Sequence, residues 1–247
     1  MDLGITGRTA LVTGASSGLG LASAQALAAN GVRVGMVARS AERLEAAREA
    51  VDGDPVTIMA DLSQPENIND MLTAAQEALG DIDILVANAG GPPPGDFAST
   101  DLGAYPDALQ LNLLSTVAMC KYLIPPMQER GWGRVVAITS ISVRQPIDQL
   151  ILSNTARAGL TAFLKTTATE VAPDGVTVNT VQPGLHATDR LTELYDDLEA
   201  VASRVPTGAL GNPGDFGRIV AFVCSESARS ITGASIPVDG GTAKGLQ

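Results

Sequence analysis

Short runs rich in β-branched residues alternate with helix-length stretches along the chain, and this alternation restricts the possible folds more than any other feature. The runs are TALVT (9–13), VRVGMVA (32–38), VTIMA (56–60), DILVAN (83–88), RVVAIT (134–139), VTVNTV (176–181) and SIPVD (235–239). Helices are expected between them, near 19–29, 41–51, 65–79, 104–129, 152–172 and 214–225. Strands separated by helices read as repeated βαβ units, and right-handed crossovers wind such units into one parallel sheet. The expected class is α/β, a doubly wound parallel sheet of about seven strands with helices on both faces.

Composition agrees with strands buried on both faces. Apolar residues make up 45% of the 247 but aromatics only 3%, so Val, Ile, Leu and Ala must build the core. There is no composition break, long linker or repeat beyond the βα alternation, so residues 1–247 are expected to form a single domain. With 27 acidic and 16 basic residues the net charge is −11, which repels phosphate backbones and anionic lipid; the expected partner is a small-molecule substrate, not nucleic acid or membrane. Cys120 and Cys224 are isolated, and His186 is the only histidine, so neither a zinc ligand set nor a Cys/His nucleophile is expected. The start, MDLGITGRTALVTG, has no basic segment followed by an apolar one, and a reducing cytoplasm is the expected setting.

TGASSGLG (13–20) follows the first strand directly and opens a helix. Gly14, Gly18 and Gly20 allow a tight turn, a close approach of backbone to a pyrophosphate, and close helix packing; Ser16, Ser17 and Leu19 belong to the same candidate nucleotide site. A tight βα turn with no ligand would use the same glycines. An NAD site places an acid about 20 residues on, to hold the ribose 2′-hydroxyl. Here Ala38 is followed by Arg39, whose guanidinium suits a 2′-phosphate, so NADP(H) is the expected cofactor, with NAD still possible and a solvated Arg39 the alternative. Asp61 either accepts from an adenine amino group or caps the helix that begins near Gln64.

Taken together, TGASSGLG, Asp61-Leu62, Asn88-Ala89-Gly90, Asn112 within LNLLS, Ser140, Pro183-Gly184 with Thr188, and the closing ITGASIPVDGG resemble the classical short-chain dehydrogenases/reductases. The resemblance is to their 3-oxoacyl-(acyl carrier protein) reductase-like branch, a Rossmann-type fold, and it covers about residues 5 to 242. It implies that the backbone at Asn88, Ala89 and Gly90 lines the adenosine side of a cofactor cleft, and that Leu62, Pro183 and Gly184 belong to the same cleft. It implies that Thr188 hydrogen-bonds the nicotinamide carboxamide, Asn112 steadies a helix and a water, and Ser140 holds the substrate oxygen. It also implies a homo-oligomer, dimer or tetramer, paired through the helices near 104–129 and 152–172.

One element of the family pattern is missing. Aligned through Ala158-Gly159-Leu160, the Tyr-x-x-x-Lys pair of similar enzymes falls on Ser153 and Arg157, and no tyrosine in the chain is followed by Lys four residues later. A tyrosine has a pKa near 10 that a neighbouring ammonium can lower, whereas an aliphatic hydroxyl is a far poorer proton donor. Arg157, one turn from Ser153, keeps positive charge near the nicotinamide ribose and can stabilise an oxyanion, but does not serve as an acid. A missing general acid costs about a hundred- to ten-thousand-fold, so the expectation is an atypical reductase of a carbonyl, imine or conjugated alkene. The alternatives are a dinucleotide-binding homologue with impaired catalysis and a non-redox enzyme reusing the cleft.

His186 is the first candidate for a substitute proton donor, its alternative being an exposed loop histidine. Arg144 and Asp148 either contact substrate or are solvated, and Ser142 is read as a strand-end hydroxyl satisfying local backbone. GGPPPG (90–95) must be a stiff, non-helical loop. Residues 184–212, with turn signals at both ends around an acidic middle, are expected to form a mobile flap over the site.

Overall fold

The computed structural model describes residues 2–245. Seven strands, β1 (Thr9–Thr13), β2 (Arg33–Ala38), β3 (Val56–Met59), β4 (Ile84–Ala87), β5 (Gly133–Ile138), β6 (Val176–Pro183) and β7 (Ser235–Val238), form one sheet in the order 3-2-1-4-5-6-7. Every neighbouring pair is parallel. Between the strands lie α1 (Gly18–Ala28), α2 (Ala41–Arg48), α3 (Pro65–Leu79), α4 (Tyr105–Leu109), α5 (Ser115–Glu129), α6 (Ile151–Val171), α7 (Asp189–Leu194), α8 (Leu198–Ala202) and α9 (Pro213–Val223). Among the described residues no helix is long and apolar enough to cross a membrane.

The side-chain alternation of the strands sorts the core into two layers. Leu11, Leu85, Val135 and Val178 point to one face, where Leu72 of α3, Leu123 of α5 and Leu164 of α6 cover them. Val12, Val86, Val136 and Val181 point to the other, beneath Leu27 of α1, Leu44 of α2 and Phe216 of α9. Each such side chain, fully buried, contributes about 1.5–3 kcal/mol relative to exposure. Because both faces are covered, the strands read as continuous apolar runs, which is why they were legible in the sequence.

The strand order reverses at β1, which pairs with β2 on one side and β4 on the other. Such a switch point leaves a crevice at the carboxyl ends of the strands, and the loops after β1, β4, β5 and β6 all open into it. The single helix expected over 104–129 is interrupted: α4 and α5 are joined by a π-helical segment, Gln110–Leu114, with Asn112 at its centre. The extra residue per turn re-aims that side chain without ending the helix. GGPPPG runs without helix or strand, as its prolines require.

Candidate functional site

The turn after β1 leaves no room for a side chain at Gly14 or Gly20. Gly14 has φ +59, and a Cβ on it would stand 2.6 Å from the Asn88 side-chain nitrogen; one on Gly20 would overlap the Gly14 carbonyl. Asn88 locks the turn to the end of β4: its backbone N–H donates to Thr13 Oγ1 (2.9 Å), Thr13 Oγ1 donates to its carbonyl (2.7 Å), and its Nδ2 donates to Gly14 O (3.3 Å). Ser17 is the N-cap of α1 but makes no side-chain cap hydrogen bond, and the first turn carries no acid. The amide groups at the start of α1 therefore lack a side-chain partner, and they carry the positive end of the helix dipole. Ser16 and Ser17 are half-buried beside them, while Leu19 packs into the core beneath.

At the next strand end, Arg39 is exposed and Ser40 caps α2 by accepting from Arg43 N (3.3 Å). Asp61 neither caps α3, whose N-cap is Gln64, nor stays uncommitted: its Oδ1 accepts from Ser63 N (3.0 Å) and Ser63 Oγ (2.8 Å). Those bonds, aided by the nearby charge of Arg39, hold its carboxyl below the usual carboxylate range. The Leu62 side chain is buried in the core, so only its backbone is available to a ligand.

Ser153 and Arg157 come together, and Arg157 reaches the carbonyl of Thr139 immediately before Ser140. Arg157 is buried, only 8% exposed, and has no carboxylate partner among the described ion pairs. Its Nη1 donates to the carbonyls of Ile138 (2.9 Å) and Thr139 (3.2 Å), its Nη2 to that of Ala89 (3.1 Å), and its Nε to Ser153 Oγ (3.3 Å). The guanidinium thus bolts α6 to the ends of β4 and β5, leaving one of its five N–H groups uncommitted. Burial pushes its pKa down to about 10, which still leaves it cationic at neutral pH. Ser153 accepts the Nε hydrogen, so its own hydroxyl proton is free to be donated elsewhere. Asn112 Nδ2 donates to Gly90 O (2.8 Å), while its buried Oδ1 has no partner.

Two expectations need correction here, those for Ser142 and His186. Ser142 does not satisfy local backbone with its hydroxyl, which is buried without a partner; Ser140 Oγ accepts from Ser142 N instead (3.0 Å). Arg144 and Asp148 are both exposed, in line with their solvated alternative, and Arg144 donates to Gln182 Oε1 (2.6 Å) and Ser235 O (2.5 Å). His186 is not an exposed loop histidine: it is 5% exposed and packs edge-on to Phe216, with ring centroids 5.1 Å apart. Its Nδ1 lies 3.3 Å from Gly184 O, and burial lowers its pKa. The ring belongs to the underside of the loop after β6, where no hydrogen bond links it to Ser140, Ser153 or Arg157.

That placement defines the neck of the 184–212 segment. His186 and Gly211 form an isolated parallel bridge, closed by Gly211 N to Leu185 O (2.8 Å) and Ala187 N to Gly211 O (2.9 Å). Gly184 at the end of β6 packs against the Asp239 backbone. Beyond the neck, three successive residues touch three walls of the crevice. The Thr188 methyl would lie 3.5 Å from a Cβ on Gly18, Asp189 pairs with Arg43 (3.8 Å), and Arg190 Nη2 donates to Pro92 O (3.3 Å).

Two features of the cleft carried no sequence signal. The Asp189 and Arg190 contacts join residues far apart in the chain. Gln149 is the only described non-glycine residue with positive φ (+62); its carbonyl accepts from Gly95 N (2.7 Å) and its Nε2 donates to Asp96 Oδ2 (3.2 Å), tying the loop before α6 to the proline loop.

A family model described as enoyl-(acyl carrier protein) reductase matches residues 14–243. The chain is 34% identical over 236 residues to a 3-oxoacyl-[acyl-carrier-protein] reductase of Escherichia coli, covering 95% of this chain and 97% of that protein. It is 32% identical over 246 residues to dehydrogenase/reductase SDR family member 4 of Sus scrofa, covering 97% and 88%. Its structure is similar to that of L-sorbose reductase from Gluconobacter frateurii complexed with NADPH and L-sorbose, with a TM-score of 0.93, 32% identity and both chains covered completely. The seven-stranded parallel order, the glycine turn at the switch point and these matches lead to one conclusion: the chain belongs to the short-chain dehydrogenase/reductase family.

Proposed function

We propose that this chain is an NADP(H)-dependent reductase of a carbonyl or another activated C=X group that works without a side-chain general acid. The observation that carries the reading is the turn at Gly14–Gly20, where Gly14 and Gly20 admit no Cβ and so keep the backbone tight beside the uncapped amides of α1. Those amides, with Ser16 and Ser17, would hold the pyrophosphate, and exposed Arg39 would meet a 2′-phosphate. The backbone at Asn88, Ala89 and Gly90 would face the adenosine side, and Thr188, against the glycine turn, the nicotinamide side. When bound, the cofactor supplies a hydride; the protein supplies position and charge.

On the substrate side, Ser140 and Ser153 would hydrogen-bond the substrate oxygen. Ser153 receives the Nε hydrogen of a cation, which strengthens its own hydroxyl as a donor. Negative charge developing on that oxygen would be stabilised by both hydroxyls and by the buried guanidinium, and the final proton would come from solvent. This favours substrates whose reduced oxygen is only weakly basic: an activated ketone, or a conjugated alkene that becomes an enolate. Asn112, with a buried unpartnered oxygen, would hold a water near Gly90.

A second reading has its own support. The guanidinium spends four of its donors on fastening the fold, so Arg157 also fits a homologue that binds dinucleotide without turnover. Calorimetric titration with NADPH, followed by NADPH oxidation across ketones, imines and enones, separates the two. Binding with turnover of an enone or activated ketone supports the reductase; binding with silence across the panel selects the second reading. A homo-oligomeric, cytoplasmic enzyme completes the proposal. Half-exposed Leu114 on the α4–α5 face and the two buried free thiols support it, and light scattering at two concentrations checks the assembly.

A further inference from the structure

We propose that Arg43 is a second cation for the 2′-phosphate of the dinucleotide, and that Asp189 of the flap is its resident counter-ion until that phosphate arrives. This rests on the reading of the chain as a dinucleotide-binding protein. Arg39 and Arg43 are both exposed and flank the start of α2. Ser40 between them accepts from Arg43 N, which leaves its hydroxyl proton free for an anion held by the two guanidinium groups. Arg39 has no ion pair among the described residues and faces Asp61, whose carboxylate Ser63 already holds. Glu42, also exposed, has no described ion pair either. The partner of Arg43 is Asp189, which comes from a different part of the chain.

The pair is loose. Its atoms stand 3.8 Å apart, and the side chains are 60% and 80% exposed, which makes it cheap to exchange. A phosphate monoester carries nearly twice the charge of a carboxylate and three acceptor oxygens, so it displaces Asp189 from the guanidinium. A ribose with a plain 2′-hydroxyl does not. Asp189 stands between Thr188, which lies on the glycine turn, and Arg190, which holds the proline loop. Of these three anchors only the middle one is then sensitive to the 2′-substituent: NADP(H) releases it, whereas NAD(H) leaves it in place. The carboxylate of Asp189 also stays close enough to repel the incoming dianion. Asp189 therefore lowers the preference for the phosphorylated cofactor while Arg43 raises it.

Calorimetric titrations of adenosine 2′,5′-bisphosphate, 5′-AMP, NADPH and NADH against the full chain test this without any turnover. Arg43→Ala is expected to weaken adenosine 2′,5′-bisphosphate and NADPH about tenfold while 5′-AMP and NADH change less than about twofold. Arg43→Lys should restore part of the loss. Asp189→Asn should tighten the 2′-phosphorylated ligands about two- to threefold and leave the others unchanged, with the gain shrinking in high salt. Equal losses for phosphorylated and unphosphorylated ligands in Arg43→Ala, or no loss, overturn the assignment of Arg43 while the oxidoreductase reading stands. Weaker or unchanged phosphate binding in Asp189→Asn overturns the role of Asp189. A wild-type chain that binds neither NADPH nor NADH overturns the dinucleotide reading and this inference with it.

Discussion

At the glycine turn a single added carbon collides with the main chain, whereas Ser153 presents only a small hydroxyl that accepts from the Arg157 guanidinium. The nucleotide half of the cleft is built from steric exclusion and backbone donors, which tolerate almost no change. The proposed substrate half holds side-chain hydroxyls around one buried cation. Arg157 there fastens three carbonyls.

The comparison can be broken most strongly at that fastener. Arg157→Met leaves the Ile138, Thr139 and Ala89 carbonyls without this donor, and should cost about 3 kcal/mol or more in urea unfolding. A loss under about 1 kcal/mol would show that the guanidinium serves the ligand and not the fold. Next in size, Ser153→Tyr with Arg157→Lys should raise reduction of simple ketones about a hundredfold, measured as kcat/KM with NADPH. A folded, NADPH-binding double variant with no gain would place the divergence in the rest of the pocket.

On the nucleotide side, Gly20→Ala should destabilise the turn by about 1–3 kcal/mol and weaken NADPH binding, since the new carbon meets backbone that cannot yield. Thermal unfolding and calorimetry on the same sample check both. The smallest effect concerns His186, which lies in neither half. Its folded pKa is lowered by burial, so below about pH 6.5 the unfolded chain takes up a proton that the folded chain resists. Stability should therefore fall as pH drops from about 6.5 toward the lowered folded value, and then level off. His186→Gln should flatten that fall, by less than about 1 kcal/mol in urea unfolding at pH 5.5 against pH 7.5.

How much was legible differs between the same two regions. The strands were found within two residues of their ends, because burial on both faces writes each as a local apolar run. The glycine turn was legible for a similar reason: its constraint acts between near neighbours such as Gly14 and Gly20. His186 was misplaced because its surroundings come from a distant segment, Phe216 on α9, which covers the imidazole. Ser142 was misread locally: in the short turn after Ser140 its backbone N–H donates to Ser140 Oγ, while its buried hydroxyl has no partner. The π segment around Asn112 carries no local signal, since an α-helix of the same residues has equally good periodicity. The flap was seen as polar and turn-bounded; its neck at His186–Gly211 was not.

By itself, then, the sequence determined the α/β class, the parallel winding, the nucleotide turn and the absence of a Tyr-x-x-x-Lys pair, all of which depend on residue type at short spacing. Only the tertiary structure decided what Arg157 does, that Asp189 meets Arg43 and Arg190 meets the proline loop, and where the lone imidazole points. Those outcomes depend on which groups β4, β5, β6 and the flap bring within about 3–4 Å of one another, a distance set by packing of the whole sheet and not by any local pattern.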